Sequence, residues 1–255
     1  MSQAGNVSNF SGKVVLVTGG TSGIGRAAAE LFHAAGAHVV VTGQSAESVR
    51  RAESELPAGV TVLQSDARRV DAAAELARVI EATFGRLDVV LLNAGIAQLA
   101  PLEHVDEAHY DEHMDVNVKG VVFTLQKVLP LLSRGASVIV TSSVAALQGA
   151  PNMSIYAASK AAVSGLVRTL AVELAPRGIR INSVIPGPTH TRIQEKFGLP
   201  ADVREAAERS FAGRIPLGRF GEAQEVAQVL FFLASPGASY VSGAELSVDG
   251  GLAAT

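Results

Sequence analysis

Short apolar runs alternate along the chain with longer amphipathic or alanine-rich stretches. Residues 13–18, 38–42, 60–64, 87–92, 137–141, 179–185 and 244–248 are rich in Val, Ile and Leu. They lack the strict polar–apolar alternation of a half-exposed strand, so they read as strands covered on both faces. Between them, residues 26–35, 46–56, 70–84, 106–132, about 154–175 and 222–233 carry helical patterns. Several of these end on a stop signal: Gly36 after the first, Pro57 after the second, Pro176 with Gly178 after the fifth. Apolar strands separated by helices imply a parallel sheet, because parallel neighbours need a crossover connection. The pattern predicts a single α/β domain over residues 11–255, doubly wound, with about seven strands and helices on both faces. Residues 1–10 read as a flexible tail. Residues 188–219 are richer in Gly, Pro and charge and interrupt the alternation, so they read as a helical insertion or lid. No linker and no internal repeat stands out between Gly12 and Gly251.

Composition narrows the function classes. The chain has 255 residues, 24 acidic and 21 basic, for a net charge of −3. Its Lys and Arg are scattered, so no basic stripe for nucleic acid is expected. It has no Cys, hence no thiolate nucleophile and no Cys-based metal site. No apolar stretch is long enough to span a bilayer, and residues 1–10 lack the apolar core of a signal peptide, which favours a soluble cytoplasmic protein. His109 and His113 have the spacing of two metal ligands on a helix. The intervening pattern is His-Tyr-Asp-Glu-His, not His-Glu-x-x-His, and acidic neighbours favour a solvated helix face over a metal site. No metal is expected.

Two local patterns carry chemistry. Tyr156 and Lys160 stand four apart in a helical segment, so they share a face. A phenol titrates near ~10 and is a poor proton donor at neutral pH. A cation held beside it favours the phenolate and draws its pKa toward the working range. The second pattern is the loop Thr18-Gly-Gly-Thr-Ser-Gly-Ile-Gly25, which joins the first strand to the first helix. Glycines let backbone N–H groups approach an anion, and the helix N-terminus adds partial positive charge. Arg26-Ala27 follows Gly25 where an NTPase loop would carry Lys and then Ser or Thr. A methyltransferase loop would leave Tyr156 and Lys160 without a role.

These residues resemble the short-chain dehydrogenase/reductase family over about residues 11–252. Thr18, Gly19, Gly23 and Gly25 match its glycine motif, and Tyr156 with Lys160 its Tyr-x-x-x-Lys pair. Ser143, with Ser142 beside it, lies thirteen residues before Tyr156, where the family has its serine. Asn117 stands in Asn-Val-Lys-Gly. Leu92-Asn93-Ala94-Gly95 matches Asn-Asn-Ala-Gly apart from its first residue, and Pro186-Gly187 opens the late Pro-Gly-x-x-x-Thr motif that Thr191 closes. The resemblance implies a Rossmann-type domain, a nicotinamide cofactor and hydride exchange with a carbonyl carbon. It makes Tyr156 the proton donor and Ser143 a second hydrogen bond to the same oxygen. Lys160 tunes Tyr156 and binds ribose, and Asn117 anchors a water leading to solvent. The implied cofactor contacts are Gly19, Thr21, Ser22, Gly23, Ile24 and Gly25 in the loop, Gln44 and Ser45 at the ribose, and Asp66 and Ala67 at the adenine. Asn93, Ala94, Gly95, Tyr156, Lys160, Pro186, Gly187, Thr189 and Thr191 complete the set. For Asp66 a helix N-cap is an equal alternative.

The second strand ends in Gly43-Gln44-Ser45, without the carboxylate that binds a ribose diol in NAD-preferring relatives and without the base that marks NADP-preferring ones. Lacking repulsion against a 2′-phosphate, the stretch favours NADP(H), with NAD(H) possible. Ile96, Leu147, Met153, Ile193 and Phe197 are the expected substrate walls, together with Leu99, Gln148 and Leu199. They suit a hydrophobic ketone or secondary alcohol. A 3-oxoacyl chain on a carrier protein is the alternative, with Arg168, Arg177 and Lys127 as its only basic candidates. A dinucleotide-binding redox sensor without turnover is the alternative from another class. Relatives of this size imply a homotetramer built from the Tyr156 helix and the last helix and strand.

Overall fold

The computed structural model describes residues 10–191, 208 and 210–255. In chain order the elements are β1 Val14–Thr18, α1 Gly23–Ala34, β2 His38–Gly43, α2 Ala46–Glu55, β3 Thr61–Gln64, α3 Val70–Phe84 and β4 Leu87–Leu92. There follow α4 Glu107–Met114, α5 Gly120–Val128, β5 Leu132–Thr141, α6 Ser154–Leu174, β6 Arg180–Pro186, β7 Thr189–His190, β8 Gly221–Glu222, α7 Ala223–Ala234 and β9 Glu245–Val248. Seven strands form one parallel sheet in the order β3-β2-β1-β4-β5-β6-β9. The chain winds outward from β1 in one direction, then returns to place β4 on the other side of it. That reversal opens a crevice at the carboxyl ends of β1 and β4, where doubly wound folds place their ligands.

Burial on both faces explains the unbroken apolar strands. Val15 and Val17 of β1 join Val39 and Val41 in a cluster with Phe32 of α1 and Leu230 and Phe231 of α7. Val14 and Leu16 point the other way, to Leu76 and Ile80 of α3, Leu125 of α5 and Val163 of α6. Each fully buried Leu, Ile or Phe contributes about 1.5–3 kcal/mol. Phe10, assigned to the tail by sequence, is buried, with its ring 4.9 Å from Phe32 and 4.7 Å from Phe231. Phe10 is therefore part of the packed core. Asp88 has a structural role: it accepts from Lys13 Nζ at 2.9 Å and Val14 N at 3.0 Å.

The long helix expected over residues 106–132 is four pieces, α4, a π turn, α5 and a 3₁₀ turn, and Leu132 already belongs to β5. Asp115–Lys119 forms a π turn between α4 and α5, and Leu129–Leu131 a closing 3₁₀ turn. The wide turn carries Asn117. α1 begins three residues earlier than expected, because the glycine loop runs directly into its first turn. At the start of the expected insertion, β7 pairs with β8 just beyond its end, and Ile215 within it is buried. Ile193, Phe197 and Leu199 lie outside the described residues. Among the described residues no helix is long and apolar enough to cross a membrane.

Candidate active site

Four elements converge on Lys160. It is 5% exposed, and its Nζ donates to the Thr141 carbonyl, which ends β5, at 2.9 Å. Burial lowers its pKa to about 8. Tyr156, one turn earlier on α6, is partly buried. Burial pushes its hydroxyl above the usual phenol range, and a hydrogen bond with Ser143 pulls it partway back. Lys160 Nζ sits 5.9 Å from the Tyr156 ring centroid. The sequence expectation was that the cation would draw the phenol toward the working range; here burial of Tyr156 raises it, and Ser143 is the neighbour that lowers it.

The two adjacent serines have different surroundings. Ser142 Oγ donates to the Lys160 carbonyl at 3.2 Å and meets Ser164 Oγ at 3.1 Å, tying β5 to α6. Ser143 turns to Tyr156 and caps the Val144–Ala146 turn, accepting from Ala145 N at 3.2 Å. Asn117 is 1% exposed. Its Oδ1 accepts from Ile96 N at 2.9 Å, and its Nδ2 donates to Ile96 O at 3.0 Å and Ser159 Oγ at 2.9 Å. A Cβ built on Gly95 would lie 3.1 Å from Lys160 Nζ and 3.3 Å from Asn117 Oδ1, so these two polar groups flank one small space.

The glycine loop sits at the crevice. Gly19 has φ +64°, and a Cβ there would come within 2.8 Å of Ala94 Cα. Asn93 closes the loop from β4: its Nδ2 donates to the Thr18 and Gly19 carbonyls, both at 3.2 Å, and its Oδ1 accepts from Thr141 Oγ1. Leu92, where the family pattern has Asn, is buried in the sheet and leaves these bonds intact. Ser22 is the N-cap of α1 but makes no side-chain cap bond, and the first turn has no acidic residue. The first-turn N–H groups of α1 thus suit the pyrophosphate of a dinucleotide. Thr21 is buried beside this turn, Ile24 and Gly25 lie within it, and the Thr191 side chain lies 3.2 Å from a Cβ built on Gly23. Thr189 Oγ1 donates to the Gly187 carbonyl at 2.9 Å, just past Pro186.

At the other end, Gln44 and Ser45 are exposed after β2, and Ser45 caps α2 by accepting from Ser48 N at 3.1 Å. Asp66 is not the N-cap of α3, a place taken by Arg69. The Arg68 guanidinium and backbone N–H both bond the Asp66 carboxylate and hold it below the usual range. Ala67 lies against Gly120 and, with Ala94 and Val116, lines a small cleft. Of the expected substrate walls, Ile96 and Met153 are partly buried and Leu147 is exposed.

His113 departs most from expectation. It is fully buried, not solvated. Its Nε2 lies 3.1 Å from Gln98 N, its Nδ1 2.8 Å from the His109 carbonyl, and its ring 6.4 Å from that of Tyr156. Burial pushes its pKa down. Thr141 and Ser159 also escaped the sequence reading, although Ser159 adjoins Lys160 of the motif pair.

The family described as enoyl-(acyl carrier protein) reductase matches residues 19–253. The 3-oxoacyl-(acyl-carrier-protein) reductase of Thermotoga maritima is 42% identical over 94% of this chain and 98% of its own. The cis-4-hydroxycyclohexanecarboxylate dehydrogenase of Sinomonas cyclohexanicum is 39% identical over 96% and 98%. The crystal structure of levodione reductase superposes with a TM-score of 0.90 at 36% identity, covering 97% of this chain and all of that one. The chain belongs to the short-chain dehydrogenase/reductase family. It is an NAD(P)-dependent oxidoreductase that acts on alcohol and ketone groups.

Proposed function

We propose that this enzyme interconverts a hydrophobic ketone and its secondary alcohol, with Tyr156 as the general acid in reduction and the general base in oxidation. The observation that carries the reading is Tyr156 facing Ser143, with the buried Lys160 Nζ 5.9 Å from its ring and held by the Thr141 carbonyl. The bound nicotinamide supplies or accepts the hydride, and every proton movement falls to this chain. As the carbonyl oxygen gains charge, Tyr156 gives it a proton. Ser143 donates a second hydrogen bond to the same oxygen, which strengthens as the charge grows. Lys160 remains largely charged at neutral pH and favours the phenolate that results. The space beside Gly95, between Lys160 Nζ and Asn117 Oδ1, suits one water that returns protons from solvent.

The substrate walls Ile96, Leu147 and Met153 offer apolar contact and no fixed charge, and Ile193 and Phe197 extend the same character in sequence. The name of the Sinomonas relative describes a secondary alcohol on a cyclohexane ring that also carries a carboxylate, which supports a cyclic secondary alcohol as substrate. For the cofactor we favour NADP(H). Gln44 and Ser45 present no carboxylate to a 2′-phosphate, and Glu47 stands in the first turn of α2. A homotetramer is supported by the exposed Val172 on α6, Phe232 on α7 and Leu246 on β9.

The Thermotoga relative favours a second reading, reduction of a 3-oxoacyl chain on an acidic carrier. Against it, Arg168 is paired with Glu245 at 3.0 Å, and Arg177 donates to the Leu129 carbonyl. NADPH oxidation followed by absorbance with cyclohexanone, aryl ketones and an acetoacetyl-carrier protein separates the readings. Turnover of the free ketones supports the first. Turnover of the carrier-bound chain alone supports the second, and a silent panel with tight NADPH binding contradicts both. Comparing kcat/KM for NADPH and NADH decides the cofactor.

A further inference from the structure

The stretch that follows β4 is clipped at alternate residues by a single face of the α4–π-turn column. Asn117 holds both backbone groups of Ile96. Four residues earlier on the same column, His113 holds Gln98. The His113 Nδ1 faces the His109 carbonyl at 2.8 Å, which places the proton on Nδ1 and leaves Nε2 as an acceptor. Gln98 N donates to that Nε2 at 3.1 Å. The Gln98 side chain then donates to Glu112 Oε2 at 2.9 Å, so α4 fixes this residue twice. The imidazole is fully buried and stands edge-on to the Tyr156 ring, at 67° between planes. The ring of His113 thus contacts both the Gln98 backbone and the Tyr156 ring.

We propose that His113 is a positioning residue for carbonyl reduction. Through the Gln98 amide it fixes the height of the 96–98 wall above Tyr156, and so the placement of the ketone oxygen before the Tyr156 hydroxyl. The inference rests on the role given to Tyr156. The neutral imidazole is what the geometry requires, because an imidazolium would set an N–H against the Gln98 N–H. Around the ring, His109 and Glu112 lie on α4 and Tyr156 on α6, and burial favours the neutral form.

Two variants separate positioning from packing. His113→Asn keeps a donor near Nδ1 for the His109 carbonyl but has no atom at the Nε2 position. His113→Gln carries an acceptor oxygen with that reach. Amide hydrogen exchange at Gln98, NADPH affinity, and KM and kcat with cyclohexanone are measured for both and for the parent. His113→Asn is expected to speed exchange at Gln98 about tenfold and raise the ketone KM by about the same factor, the value of one hydrogen bond. NADPH affinity stays within about twofold, and His113→Gln recovers both properties. Unchanged exchange in His113→Asn overturns the proposal, whether or not cyclohexanone is a substrate. So does faster exchange without a change in KM, or a parallel loss of thermal stability, NADPH affinity and KM in both variants. Absence of turnover in the parent counts against the ketone reading alone, and the exchange rates still decide the clip.

Discussion

Lys160 Nζ donates to the Thr141 carbonyl at 2.9 Å, so the one buried ammonium of the candidate site is tied to the end of a central strand by a neutral partner. A neutral acceptor does not repay the loss of water as a carboxylate would. Burial therefore sets its pKa at about 8.

That value gives a pH dependence. Below about 8 the ammonium is charged; above it the charge is lost. Ketone reduction, as kcat/KM for NADPH across pH, should fall on the alkaline side with a midpoint near that value. Lys160→Met should remove the limb along with most activity. The same group affects stability in the opposite direction. An unfolded lysine titrates near ~10.4, so between the two values the unfolded chain binds more protons and stability rises with pH.

The two serines should separate cleanly. Ser143→Ala removes the donor facing Tyr156 and should lower kcat by about 10²–10³-fold. Ser142→Ala removes the bonds to Lys160 O and Ser164 Oγ and should cost about 1 kcal/mol of stability with most turnover retained. Thermal unfolding and steady-state rates on both variants check this; equal kinetic losses would contradict it.

Gly19→Ala should weaken cofactor binding by more than tenfold, or about 1.4 kcal/mol. The φ of +64° and the 2.8 Å approach to Ala94 leave a methyl group no room without displacing the loop from Asn93. Fluorescence titration with NADPH reads the effect. A Kd within twofold of the parent would contradict it.

Asp88→Ala should destabilise by about 1–3 kcal/mol, because it leaves the buried Val14 N–H without its acceptor. Lys13 is half exposed, so the ion pair adds little. Burial raises the Asp88 pKa, but the bonds from Lys13 and Val14 and the charge of Arg86 lower it further. With a depressed folded value, the stabilisation is complete above the unfolded pKa of ~3.9 and is lost as pH falls through the folded one. Urea midpoints from pH 7 to 3 should show a shallower acid loss in the variant.

Much of the fold was legible because strands buried on both faces leave an unbroken apolar signature, and the helices between them fix the parallel order. Motif spacing likewise brought Ser143, Tyr156 and Lys160 together. What sequence hid depends on partners far along the chain. The π turn is invisible locally, since Asn117 finds Ile96 and Ser159 at 21 and 42 residues' separation. His113 looked solvated beside Asp111 and Glu112. Its burial is imposed by Gln98 and by Tyr156 on another helix. The desolvation of Tyr156 was hidden for the same reason, because its neighbour was visible in sequence and its burial was not.

The central claim is that the Tyr156 hydroxyl moves the proton. Its most direct test is kcat for ketone reduction by Tyr156→Phe, with NADPH Kd measured on the same preparation. The account predicts a loss of about 10²–10⁴-fold or more in kcat with NADPH still bound at near-parental affinity. A variant that keeps the parental kcat would show that another group donates the proton.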